Sequence, residues 1–152
     1  MRLTLHADLA FRTLIFLAAA DKRSGTIPEI AKAYAISENH LRKVVARLVE
    51  IGFVEATRGR RGGLRLAVEP SRISIGLAMR ELESDFALVE CMGVAPERCA
   101  ITGCCGLQRV FKEALNAWFQ VLDRYTLADA VGGSKRLRQA LGINEANSAA
   151  MR

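Results

Sequence analysis

The chain has 152 residues, 22 Lys and Arg against 16 Asp and Glu, and a formal charge of +6; it is 51% hydrophobic and 25% charged. These values exclude a disordered or fibrous chain. They suit one domain, or a small domain with a dimerisation appendage, able to bury a core unaided. The uncharged run 13–20 is too short to span a bilayer and follows Asp8 and Arg12 rather than a basic leader. A cytoplasmic location is therefore expected, where disulfides are rare. The charge is uneven: residues 1–70 hold 12 Lys and Arg and 7 Asp and Glu, whereas residues 71–152 hold 10 and 9. A basic first half joined to a near-neutral half with four cysteines suits a polyanion-binding module followed by a sensing or assembly module.

Along the chain, Leu3 to Ala20 reads as a helix dense in apolar residues, closed by the polar turn 21–25. Thr26 opens a second helix. Its side chain can cap the free amides while Glu29, three residues on, reaches back, and Pro28 falls in the first turn, where no intrahelical amide is needed. Ser37 is expected to cap a third helix, Glu38 to about Ile51, which Gly52 ends. Leu41, Val44, Val45, Leu48 and Ile51 share one face of it, and Asn39, Arg42, Lys43 and Arg47 lie on the other. Strand character at 53–57 and 64–68 flanks the glycine-rich basic turn 58–63, which predicts a hairpin. Three helices and then a basic hairpin is the order of a winged helix-turn-helix, expected over residues 1–70.

Ser74 caps a fourth helix to about Glu83, and the loop-like stretch 84–105 holds all four cysteines. A longer helix runs from Gly106 to about Arg124. Leu107, Val110, Phe111, Ala114, Leu115, Trp118, Val121 and Leu122 make one broad apolar stripe on it, wider than one helix-turn-helix needs to cover. Residues 71–131 are therefore expected to form the cysteine loop and a dimerisation helix. Residues 132–152, opening with Gly-Gly-Ser, are expected to form a mobile tail. The expected fold is mainly α: a winged helix-turn-helix with a β-hairpin wing and a long C-terminal dimerisation helix.

A helix fits the major groove and reads base edges from its amino-terminal end. Here that end offers Ser37, Asn39, His40, Arg42 and Lys43. Asn39 suits adenine and Arg42 guanine, while Lys43 and Ser37 suit phosphates. Arg58, Arg60 and Arg61, on a glycine-flexed tip, suit a minor groove or the backbone. Together they favour double-stranded operator DNA as the partner.

Cys91, Cys99, Cys104 and Cys105 lie within 15 residues, as Cys-x7-Cys-x5-Cys through Cys105 or Cys-x7-Cys-x4-Cys through Cys104. Adjacent cysteines do not easily bind one metal centre together, so three thiolate ligands are more natural than four. Soft thiolates suit zinc or an iron–sulfur cluster. The loop has no closely paired cysteine knuckle and no nearby His, which favours an iron–sulfur centre with one weak corner over structural zinc. Buried free thiols or a thiol switch are the plain alternative. An enzyme is not expected: there is no C-x-x-C, and no His or acid flanks the adjacent pair.

The segments MRLTLHADLAFRTLIFLAA, RGRRGGLRL, MRELE, CAITGCCGL and LDRYTLADAV, in that order, resemble a family of dimeric winged-helix iron–sulfur regulators over about residues 1–131. The likeness is closest to that family's nitric-oxide-sensing repressors. It implies a homodimeric repressor whose iron–sulfur cluster, two-iron or four-iron, answers to nitric oxide. It also implies Cys91, Cys99 and Cys105 as the cysteine ligands, because CAITGCCGL matches the family's C-x5-C-x-L pattern, and it leaves Cys104 without a role. The His that cluster-biogenesis members carry is missing from Gly106-Leu107-Gln108. The acid that nitric-oxide sensors carry near the start of the first helix is matched by Asp8, which by resemblance would ligate the cluster held by the opposite subunit. The plain reading of Asp8 is an i,i+4 pair with Arg12. Iron-responsive regulators of the family are similar too, through ESDFALVEC and ALNAWF. The remaining alternative is a zinc- or thiol-braced DNA-binding protein without a cluster.

Overall fold

The computed structural model describes residues 3–21, 24–57, 59, 62–93 and 99–143. Helix α1 (Leu5–Ala20) is the central post. Its N-cap, Thr4, accepts the Ala7 amide at 3.1 Å, and its buried residues, from Ala7 and Leu9 to Ala19 and Ala20, surround the helix rather than striping it. Such a helix is stable only when neighbours cover it all round. The one polar side chain buried on it, Thr13, donates its hydroxyl proton to the Leu9 carbonyl at 2.8 Å and so carries no unmet hydrogen bond.

Helix α2 (Ile27–Tyr34) opens with the expected capping box between Thr26 and Glu29 and closes at Ala35, whose left-handed backbone (φ 52°) turns the chain into α3 (Glu38–Glu50). Ser37 stands at the N-cap of α3 in extended conformation, but its side chain makes no capping hydrogen bond, contrary to expectation. Leu41, Val44, Val45 and Leu48 of α3 are buried in the core shared with α1 and α2. Gly52 (φ +76°) then leads into the antiparallel strands β1 (Val54–Thr57) and β2 (Gly63–Leu66), in which Val54 faces Leu66 and Thr57 faces Gly63. Gly25, just ahead of α2, exchanges two backbone hydrogen bonds with Leu64, 2.9 and 2.7 Å long, and ties the hairpin to the helical unit.

Helix α4 (Ile75–Leu82) is capped by Ser74, whose hydroxyl accepts the Leu77 amide at 3.3 Å. Beyond the cysteine loop come α5 (Leu107–Leu122), α6 (Leu127–Val131) with a second capping box between Thr126 and Asp129, and α7 (Lys135–Ala140). The expectation of a mobile tail from residue 132 is corrected here. Lys135–Ala140 form α7, capped by Ser134, and Leu141 and Ile143 are buried in the main core, because Leu137, Leu141 and Ile143 give the segment an apolar side of its own. Residues 144–152 lie outside the described residues.

The carboxyl end of α5 is clamped to α4. Arg80 Nη1 and Nη2 donate to the two carboxylate oxygens of Asp123 at 2.6 and 2.9 Å, and the guanidinium lies 4.1 Å from the Phe119 ring centroid. These hydrogen bonds hold the Asp123 carboxyl below the usual range, and they raise Arg80 in turn. With the folded value lowered, the clamp's stabilisation is present above the ordinary carboxylate range and is lost as pH falls through the folded value. Gly76 makes the approach possible: a Cβ there would collide with the Asp123 carboxylate and lie 3.0 Å from the Asp123 backbone nitrogen. Gly76→Ala is expected to destabilise the protein by about 1–3 kcal/mol, the cost of overpacking a close contact, read as a lower urea midpoint with an unchanged slope.

Candidate functional site

The described residues expected to bear on function fall in two regions, the free edge of α3 and the loop between α4 and α5, and at Asp8 on α1. On α3, Asn39, His40, Arg42 and Lys43 are all exposed in the first two turns, and Ser37 is exposed just ahead of them. The helix buries its apolar face, so its polar face has nowhere to point but solvent. Arg42 is not free: its Nη2 lies 3.0 Å from Glu38 Oε2, an exposed i,i+4 pair. Glu38, which shares this end of α3, thus pairs with Arg42 at the four-residue spacing visible in the sequence. Arg47, grouped with these residues by periodicity, points elsewhere and contacts α4 and Glu50. Arg58, Arg60 and Arg61 fall outside the described residues; the hairpin that carries them is in place.

The cysteines are unbridged. Cys91, Cys99 and Cys105 are half-buried, whereas Cys104 is exposed and its thiol donates to the Ile101 carbonyl at 3.2 Å. Cys91 sits in a single 3-10 turn, Glu90–Met92, and its carbonyl accepts the Gln108 side-chain amide at 2.6 Å, which ties the loop to the first turn of α5. Nothing in the sequence signals this bond, since it joins a side chain to a backbone carbonyl 17 residues away. Among the described residues no group of three or more His, Cys, Asp or Glu side chains is placed to hold a metal ion. The donor chemistry nonetheless fits a cluster: three soft thiols, not oxidised to disulfides, on one short loop.

Asp8 is in the first turn of α1, half-exposed, with Oδ2 2.8 Å from Arg12 Nη2. Arg12 also lies 5.8 Å from the Tyr34 ring centroid. Burial pushes the Tyr34 phenol up to about 12, and the Arg12 charge partly opposes it. In its own chain, then, Asp8 is paired with Arg12. The start of α1 is fixed to the chain leading into the cysteine loop: the Thr4 amide donates to Glu83 Oε1 at 2.6 Å, and Glu83 is buried. Beside this bond a cleft of about 280 Å³ opens between Leu3, Phe86, Leu88 and Trp118.

The described part of α5 has no buried residue. Leu107 and Val110 are about half exposed and Val121 is 44% exposed, while Phe86 meets Phe119 edge-on at 4.8 Å and Trp118 at a tilt at 6.2 Å between centroids. The apolar stripe expected from the sequence is thus present, and none of it is fully covered by the described residues.

The profile of the Rrf2 family, described as an iron-dependent transcriptional regulator, matches residues 3–133. The HTH-type transcriptional regulator NsrR of Bacillus subtilis (strain 168) is 45% identical over 148 residues, 95% of this chain and 100% of that one. Among solved structures, CymR, the global cysteine regulator of B. subtilis, has a TM-score of 0.73 at 25% identity and covers 89% of this chain and 99% of its own. IscR of T. potens has a TM-score of 0.70 at 23% identity over 90% of each chain, a likeness of fold. The mostly helical chain with its two-stranded wing matches both.

The Asp8–Arg12 pair is exposed, so Asp8→Ala is expected to change stability by no more than about 0.5 kcal/mol. A thermal melt coincident with the parent's would mean that any effect of this substitution on signalling is not one of folding.

Proposed function

Because this chain belongs to the Rrf2 family of transcriptional regulators, we propose that it is a homodimeric repressor that answers to nitric oxide through an iron–sulfur cluster. That it is a DNA-binding regulator and not an enzyme follows from the family and from its relatives. The finer reading rests on one observation: three half-buried, unbridged thiols share the loop that leads into α5. Cys91, Cys99 and Cys105 would hold the cluster, and the exposure of Cys104 supports its exclusion. Asp8 would complete the set from the opposite copy, since in its own chain it faces Arg12. When bound, the cluster supplies iron that nitric oxide can attack. A carboxylate is a harder and weaker partner for iron than a thiolate, so Asp8 would be the ligand that gives way most readily.

The chain's own residues hold and space two reading heads. Asn39, His40 and Lys43 have no partner among the described residues and are free to meet bases or phosphates; Arg42 exchanges Glu38 for guanine as α3 docks. Ser37, spared from capping, keeps its hydroxyl for a phosphate. Arg58, Arg60 and Arg61 add backbone or minor-groove contacts from the wing tip. Two such heads on a palindromic operator must sit about 34–36 Å apart, so a shift of one copy against the other weakens both contacts at once. Moving occupancy from nearly full to nearly empty requires the two states to differ by about 5.5 kcal/mol.

The family's description as iron-dependent favours one second reading, an iron-responsive regulator. Anaerobic purification followed by operator titration tests both. The proposal expects a brown protein, bleached by nitric oxide with loss of operator affinity. Colour should survive Cys104→Ala and vanish in Cys91→Ala, Cys99→Ala and Cys105→Ala. Asp8→Ala should keep the colour and change the nitric-oxide response. A colourless, zinc-loaded protein would contradict the proposal, and release of DNA by iron chelation but not by nitric oxide would replace it with the second reading.

A further inference from the structure

Arg47 belongs to α3, yet its guanidinium reaches away from the DNA-reading edge to α4. Its Nη2 donates to the Glu81 backbone carbonyl at 3.0 Å and lies 3.7 Å from Glu81 Oε2, and its Nη1 is 3.0 Å from Glu50 Oε2. Glu81 is in the last turn of α4, where carbonyls lack intrahelical donors and a cation is favoured by the helix dipole. A planar fork with several donors fixes orientation as well as distance, which a flexible ammonium does not. The neighbouring residue on α4, Arg80, holds Asp123 at the end of α5. Residues 80 and 81 therefore connect α4 to α5 on one side and to α3 on the other. Helix α3 is also packed on α1, α2 and β1 through Leu41, Val44, Val45 and Leu48, which fix its place in the core, and the Arg47 contact adds a directional tie that orients it against α4.

From this we infer that Arg47 is a positioning residue: it sets the angle of α3 against α4 and α5, and thereby the half-site spacing that the regulator accepts. The inference rests on the proposed roles of α3 as reading helix and α5 as dimer helix. If α5 lies on the dimer axis, the run α5–Asp123–Arg80–α4–Glu81–Arg47–α3 connects that axis to each reading head. Loss of the fork at Arg47 leaves each head able to dock but lets the two heads rotate independently.

The test uses the full chain and an operator obtained by selection from random duplexes, with the spacer between half-sites kept, lengthened by one base pair or shortened by one. Each added pair turns one half-site by about 34° and moves it about 3.4 Å. The parent protein should prefer the native spacer by about tenfold or more, the scale of a mismatched base pair. In Arg47→Ala the preference should fall to within about threefold, while affinity for an isolated half-site changes by no more than about threefold, the scale of an exposed ion pair. Arg47→Lys should restore part of the preference, and Asp123→Asn, which breaks the clamp one step further along, should relax it similarly. Unchanged spacer preference in Arg47→Ala would overturn the inference. So would an equal loss of affinity for all three duplexes and the half-site, the mark of a purely structural role. A parent protein indifferent to spacing would instead remove the two-headed reading on which the inference stands.

Discussion

Helix α5 is the constraint on which the rest depends. It runs for 16 residues with no buried side chain, although Leu107, Val110, Leu115, Trp118, Val121 and Leu122 line it at helical spacing. Water contact with that much apolar surface costs about 25 cal/mol per Å², so a helix of this kind persists when something covers it. Helix α1, by contrast, is covered within the chain by α3, α4 and α6. A second copy of the same chain is the cover that the proposed function supplies, and it gives the cysteine loop a place. The loop hangs on the first turn of α5 through Gln108, so whatever orders the three thiols acts on the amino end of α5.

The two ends of α5 then do different work. The amino end carries the loop; the carboxyl end is held to α4 by the Arg80–Asp123 clamp, with Gly76 allowing the approach. From α4 the connection reaches α3 through Arg47, and the polar edge of α3 faces solvent beside the hairpin. A ligand shifts such an equilibrium only by its differential affinity for the two arrangements. The cysteine loop and α3 communicate in this account through rigid helices and directional ion pairs, and a physical warrant for that route is a measured coupling rather than the path itself.

Much of this was legible in the sequence because local rules dominated. The capping box Thr26/Glu29, the turn at Gly52 and the apolar stripe of α5 each depend on residues a few positions apart, and each is present. Ser37 misled because a serine before a helix has two uses for its hydroxyl, and capping is only one of them. The segment after residue 132 misled because Gly-Gly-Ser and several arginines masked a short apolar set, Leu137, Leu141 and Ile143, whose partners on the core are far away in sequence. For the candidate site, exposure of the reading edge follows from periodicity. The aims of Arg47 and Gln108 do not, since each meets a partner supplied by the fold. Spacing alone left Cys104 and Cys105 equal; in the structure Cys104 is exposed and Cys105 half-buried.

The central claim, that the uncovered face of α5 is closed by a second copy of the chain, is tested most directly by sedimentation equilibrium. The account predicts twice the chain mass at micromolar concentration, and a fall to the single-chain mass when Val110 and Val121 are both changed to Glu, with a native circular dichroism spectrum retained. A parent protein that sediments as a single chain, or a doubly substituted one that remains a dimer, would contradict it.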